Sequence, residues 1–360
     1  MVALGIGIAL GWRMNRIAFS IAITAAMIGC ATEEDESSEV VLESERSLPL
    51  FHGRFGSPSI VRDDDALHAY FAIQQFAGET VHVAHARSDD DGATWKRVGD
   101  ALPRLNDLAV QSGSVWAPGA ARIDDDHWML YYTAVRAGTE RHMCTYRARA
   151  SSPRGPFVDD FAGPLVCPEG GLWAIDPYPV KDARGNWHLL ARVDEPKGVN
   201  TISIRRLGEF GQHFAPGSEW VRLAHITKGS WEEPVMENAA TVRLDVNGEK
   251  RWFVFYSGGS YRNNTYGVGY ADCGPSIEGP CVKKTAASPW LSSRPELQMF
   301  GPGTPTFFRD SDGDVLMAVN TWKFSGGQEN PKNRGQIMHI FKVRVGANGK
   351  PIATFVRKVE

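Results

Sequence analysis

The feature that most constrains this chain is a repeat of about 60 residues that recurs five times. Each copy opens with a short segment, usually carrying proline, passes through an Asp/Gly turn and continues into an aromatic-rich run. The openings and runs are Ser57-Pro58-Ser59 with Leu67-His68-Ala69-Tyr70-Phe71, Ala117-Pro118 with Trp128-Met129-Leu130-Tyr131-Tyr132, Asp176-Pro177 with Trp187-His188-Leu189-Leu190, Glu237-Asn238-Ala239 with Trp252-Phe253-Val254-Phe255-Tyr256, and Thr304-Pro305 with Val315-Leu316-Met317-Ala318-Val319. Turn residues such as Asp124-Asp125-Asp126, Asn247-Gly248 and Asp312-Gly313 separate the two parts, as in hairpins. Several short strands per unit, five units and almost no helical periodicity predict an all-β chain folded as a five-bladed β-propeller. A two-domain β-sandwich could use the same strands but leaves the five-fold spacing unexplained.

Innermost strands of a propeller line a central channel, so matching positions of the repeats converge on one axis. Those positions hold Ser57, Ala117, Asp176, Glu237 and Thr304. An Asp and a Glu facing one pocket are the pair that glycoside hydrolysis needs, one carboxyl to protonate the leaving oxygen and one to act as base or nucleophile. The plainer alternative is that Asp176 and Glu237 cap strand ends.

Charge narrows the partners. There are 39 Lys+Arg against 42 Asp+Glu, a net charge of −3, which gives no electrostatic case for nucleic acid. The one apolar stretch that approaches a membrane span lies at the N-terminus, which excludes a polytopic membrane protein. There Met14-Asn15-Arg16 precedes an apolar run from Ile17 to Gly29, the pattern of a secretory signal over residues 1–29, with Met14 a candidate true start. Met27-Ile28-Gly29-Cys30 resembles a bacterial lipobox, which would make Cys30 a lipidated N-terminus; a plain signal peptide is the alternative. Residues 30–50 read as an acidic tether and 51–360 as the propeller. The expectation is an exported protein, secreted or held at the cell surface, touching membrane only through a lipid anchor, and monomeric.

Export implies an oxidising compartment. Cys144, Cys167, Cys273 and Cys281 allow three pairings, of which the local one, Cys144–Cys167 with Cys273–Cys281, staples neighbouring strands or a loop. No Cys/His spacing suggests zinc. Ser88-Asp89-Asp90-Asp91-Gly92-Ala93-Thr94-Trp95 resembles the Asp-box hairpin of sialidase-like propellers, a structural motif. A sialidase-like function would also need an arginine cluster for a carboxylate, and none is assignable.

From about Phe51 to Phe355 the chain resembles glycoside hydrolase family 43. The resemblance is carried by Trp116-Ala117-Pro118 with Met129-Leu130-Tyr131-Tyr132, by Ser152-Pro153-Arg154-Gly155-Pro156-Phe157, and by Gly170-Gly171-Leu172-Trp173-Ala174-Ile175-Asp176-Pro177. Trp231-Glu232 through Glu237, Phe255-Tyr256-Ser257, Gly301-Pro302-Gly303, and Arg334 with Met338-His339-Ile340 complete it. The resemblance implies a hydrolase of arabinose- or xylose-containing polysaccharide working by inversion. It makes Glu237 the general acid and Asp176 the carboxylate that raises the acid's pKa and orients it. The family's general base is an Asp before the first-blade proline, where this chain has Ser57. A hydroxyl is too weak a base, and losing a general base costs roughly 10²–10⁴ in rate. The family's E-G-P is Glu237-Asn238-Ala239 here, and its fifth-blade His, sometimes beside calcium, is Thr304. No cofactor is therefore expected, and calcium has no support.

Trp116 and Trp173 flank axial segments and are candidate sugar platforms, with blade packing as the alternative; Arg334 is a candidate donor to a sugar hydroxyl or a surface ion-pair residue. Asp63 to Asp65 lie in a turn at the far end of the strand and are discounted as a replacement base, which leaves Asp107. Two functions stay open: a glycoside hydrolase impaired at its base, and a non-catalytic propeller that only binds glycan.

Overall fold

The computed structural model describes residues 56–64, 66–72, 81–333 and 335–359. The residues read from sequence as signal and tether, with Cys30 and Arg334, lie outside the described residues. The chain forms five antiparallel sheets arranged as a five-bladed β-propeller, and there is no α-helix among the described residues.

Blade 1 comprises β1 (Gly56–Asp63), β2 (Ala66–Ala72), β3 (Val83–Ser88) and β4 (Lys96–Asp100). Blade 2 comprises β5 (Trp116–Arg122), β6 (Trp128–Val135) and β7 (Met143–Ala150). Blade 3 runs β8 (Ala174–Lys181), β9 (Trp187–Glu195), β10 (Val199–Arg206), β11 (Val221–His225). Blade 4 runs β12 (Val235–Val246), β13 (Glu249–Gly259), β14 (Gly267–Gly274), β15 (Val282–Lys283), and blade 5 runs β16 (Phe300–Arg309), β17 (Val315–Trp322), β18 (Gln336–Val345), β19 (Pro351–Val359). The first strand of each sheet is innermost. These five strands form a ring in which β1 touches β5 and β16, β5 touches β8, β8 touches β12, and β12 touches β16.

The aromatic runs read as strand interiors are the second strands, and they supply the core. Trp128, Tyr131, Tyr132, Phe253, Phe255 and Tyr256 are fully buried between blades. At about 25 cal/mol per Å² of apolar surface removed from water, such rings dominate the favourable side of folding.

Ring closure uses side chains, since blades 1 and 5 each complete their own sheet. Ile60, Leu67, Phe71 and Trp95 of blade 1 pack with Phe308, Leu316, Met338 and Ile340 of blade 5. The Asp-box sits between β3 and β4. Asp90 accepts from the Thr94 backbone and hydroxyl at 2.7 and 2.6 Å, and Trp95 is buried. Its neighbour Asp91 accepts from Ser311 N–H (3.1 Å) and Oγ (2.6 Å) and pairs with Arg62, which also donates to the Arg309 carbonyl, so the motif helps latch the two ends of the ring.

Blade 2 lacks a regular fourth strand. Residues 158–166 bridge β7 there at Arg149↔Val158 and Thr145↔Val166, and the Cys144–Cys167 disulfide ties this edge down. Cys273–Cys281 closes the turn between β14 and β15. Both bridges are the local pairs expected from spacing.

Candidate active site

Each innermost strand breaks register at the same level, between Gly56 and Ser59, Trp116 and Gly119, Ile175 and Tyr178, Glu237 and Ala240, and Gly303 and Thr306. At each break one non-glycine residue takes a left-handed backbone: Ser57 (φ 46°), Ala117 (42°), Asp176 (59°), Asn238 (49°) and Thr304 (51°). Such conformations cost of order 1–3 kcal/mol each and persist only where the surroundings over-determine them. At three of the five positions the preceding blade supplies a restraint. Asp176 N–H donates to Thr133 Oγ1 (3.1 Å), Thr304 N–H to Ser257 Oγ (2.8 Å), and Asn238 N–H to Asp176 Oδ2 (2.9 Å).

The five residues line an axial cavity of about 30 Å³, room for about one water. The ring differs from the sequence alignment in one place. Asn238, not Glu237, occupies the fourth-blade position, because β12 breaks one residue later than a residue-type match implies. Glu237 precedes it, and its neighbour's N–H binds Asp176, so the two carboxyls are brought to one site.

Glu237 is held from two sides. Its Oε2 accepts from Arg192 Nη1 at 3.0 Å and its Oε1 from Tyr266 Oη at 3.0 Å. Arg192 is anchored behind by Asp194 through Nε (2.8 Å) and Nη2 (3.0 Å), and Asn200 Nδ2 donates to Asp194 at 3.0 Å. Tyr266 reaches Glu237 across Gly303, where a Cβ would lie 2.0 Å from the ring, so only glycine leaves room for it.

The charges in this cluster do not balance: among the described residues Asp176, Glu237 and Asp194 face Arg192 alone, and two of Arg192's three hydrogen bonds go to Asp194. Burial raises the Asp176 carboxyl well above the usual carboxylate range and the charge of Glu237 adds to it, while Arg192 opposes. Burial also raises Glu237, against Arg192 and the Tyr266 hydrogen bond. The pair therefore retains a proton above the ordinary carboxylate range, which a general acid requires.

Ser57 faces the same cavity and brings no carboxylate to it. Asp107 does not replace one: its side chain is 80% exposed and paired with Arg104 (2.6 Å), away from the axial lining. Asp63 and Asp64 bind Arg122 at the other end of β1 (both 3.0 Å). Glu232, fully buried, is committed to Lys283 (2.8 Å) and Tyr256 Oη (2.8 Å). Trp116 and Trp173 meet edge to face at 5.9 Å, and Trp173 lies 5.7 Å from the Arg192 guanidinium, which places the aromatic wall beside Glu237. Among the described residues, the one cluster with metal-ligand atom types is His142, Cys144 and Cys167, whose sulfurs are spent in the disulfide.

Arg192, Asp194 and Tyr266 were not evident from sequence. The available signal was a buried arginine in the apolar run Trp187–Glu195, a charge that a core strand keeps only when paired.

A family model described as glycosyl hydrolases family 43 matches residues 47–351. Solved structures share the fold. A thermostable family-43 glycoside hydrolase superposes with a TM-score of 0.69 at 18% identity, covering 86% of this chain and 96% of that one. An endo-1,4-beta-xylanase from Bacteroides thetaiotaomicron gives 0.66 at 22%, covering 86% and 96%. An alpha-L-arabinanase from Cellvibrio cellulosa gives 0.64 at 15%, covering 83% and 95%. No curated protein matches the sequence.

Proposed function

The chain belongs to glycosyl hydrolase family 43, and from that premise we propose that it acts on arabinose- or xylose-containing polysaccharide outside the cell, with Glu237 as proton donor and Asp176 as the carboxylate that tunes it. The observation that carries this reading is the pairing of buried Asp176 with part-buried Glu237 beside the Trp116–Trp173 wall. Glu237 protonates the glycosidic oxygen as the bond to the anomeric carbon breaks. Inversion then needs a water on the opposite face and a group to take its proton. The axial cavity has the size for that water, but a Ser57 hydroxyl can only orient it. Hydrolysis is accordingly slow, by roughly 10²–10⁴ relative to a site with a carboxylate base.

A second reading, a propeller that binds glycan without cleaving it, is favoured by Ser57 and by the Arg192–Glu237 ion pair (3.0 Å), which stabilises an ionised Glu237. The two disulfides support an extracellular location; lipidation of Cys30, a monomeric state and a hydrogen bond from Arg334 to sugar belong to the same proposal. The test is an assay of purified protein on arabinan, arabinoxylan and aryl glycosides, with oligosaccharide binding measured in parallel. Slow turnover abolished by Glu237→Gln supports the hydrolase. Binding without turnover supports the second reading, and neither binding nor turnover rejects both.

A further inference from the structure

The loop before β8 is fastened with unusual completeness around Trp173. The Cys144–Cys167 disulfide anchors its start. His142 Nε2 lies 2.9 Å from the Pro168 carbonyl and 3.0 Å from that of Leu172, so it carries the hydrogen and serves both. Asp194 N–H donates to the Trp173 carbonyl (2.8 Å), and Thr145 Oγ1 to that of Ala174 (2.9 Å). The backbone on both sides of Trp173 is thus fixed, and the same tie points fix the β6–β7 hairpin that carries Arg141.

Trp173 touches two guanidinium groups, Arg192 at 5.7 Å and Arg141 at 5.5 Å from the ring centre. Arg192 spends its charge on Asp194 and Glu237. Arg141 is exposed and, among the described residues, forms no ion pair. A continuous wall therefore runs from Glu237 through Arg192 and Trp173 to a cation whose charge is unspent. Stacking on Trp173 restrains the fork of Arg141 before any ligand arrives, which lowers the cost of using it.

We propose that Arg141 is a specificity residue that recognises a carboxylate on the saccharide chain, a hexuronate substituent lying beyond the sugar at Glu237. A planar guanidinium matches a carboxylate with two parallel N–H···O bonds, a fit that neutral hydroxyls do not offer. The inference rests on the polysaccharide reading above and narrows it to uronate-bearing, pentose-based chains.

The test is calorimetric binding of xylotetraose, arabinotetraose and xylotetraose bearing one glucuronate to the wild-type protein and to Arg141→Gln and Arg141→Lys. Because the site is exposed, the uronate chain binds roughly two- to fivefold more tightly than xylotetraose at low salt, and the ratio shrinks in 0.5 M salt. Arg141→Gln brings the ratio to one, and Arg141→Lys keeps part of it. Equal affinity for the charged and neutral xylose chains, or a preference that survives Arg141→Gln, overturns the inference while leaving the polysaccharide reading intact. Binding of none of the three chains overturns both.

Discussion

Two halves of the axial ring share one backbone and differ in chemistry. On the side of blades 1, 2 and 5 the strained positions carry Ser57, Ala117 and Thr304; on the side of blades 3 and 4 they carry Asp176 and Asn238, with Glu237 adjacent. The register break and the positive φ are the same on both sides. Ala117 holds φ 42° with no polar group to present. The strain therefore belongs to the way five strands meet at an axis, and its presence does not mark a catalytic residue. What distinguishes the third and fourth blades is the set of partners around the carboxyls: Arg192, Asp194 and Tyr266 on one, and the Asn238 N–H on the other.

The largest effect expected from breaking this asymmetry comes from Glu237→Gln. It keeps the shape and removes the transferable proton, so any turnover on unactivated polysaccharide falls by roughly 10²–10⁴, measured as released reducing ends.

A second contrast sets the carboxyl pair against another buried titratable pair, His68 and His85 of blade 1, whose rings are joined by a 2.8 Å hydrogen bond. Burial lowers His68 to about 4, and burial with the neighbouring His68 lowers His85 to about 3. A depressed folded-state value means stability that is complete above the unfolded value near 6.5 and lost as pH falls toward those values. At pH 4 this amounts to about 3 kcal/mol for His68. The carboxyl pair has the opposite sign. Its folded values are raised, so its contribution is present in acid and lost as pH rises through them. Thermal melts then show Asp176→Asn gaining on the wild type at pH 9, with the gain shrinking toward pH 5. A gain that grows toward acid would contradict the assignment of a retained proton.

A smaller effect is expected at Tyr266. Its hydroxyl favours ionised Glu237, so Tyr266→Phe raises the pKa of the acid, moves the alkaline limb of a pH–rate profile upward and changes the maximal rate only a few-fold.

The sequence made the scaffold legible for a physical reason. Five hairpins repeat the same burial pattern, so the aromatic runs, the Asp-box around Asp90 and both local disulfides could be placed without the structure. The pair Asp176 and Glu237 was legible too, but the ring position in blade 4 was not. A one-residue offset in where β12 breaks register exchanges Glu237 for Asn238, and residue type alone points to the wrong one. Arg192 and Tyr266 were hidden for another reason. They sit on β9 and just before β14, 45 and 29 residues from Glu237, and no local motif links them to it.

The central claim is that the site keeps its acid and lacks its base. It is tested most directly by kcat/KM of Ser57→Asp against the wild type on an aryl arabinofuranoside and an aryl xyloside. An aryl leaving group departs with little help from Glu237, so the rate reports chiefly on activation of the attacking water. The account predicts a rise that recovers part of the roughly 10²–10⁴ deficit on one of the two substrates. Robust wild-type turnover, unchanged by Ser57→Ala and not raised by Ser57→Asp, would contradict it by showing that another group already takes the proton.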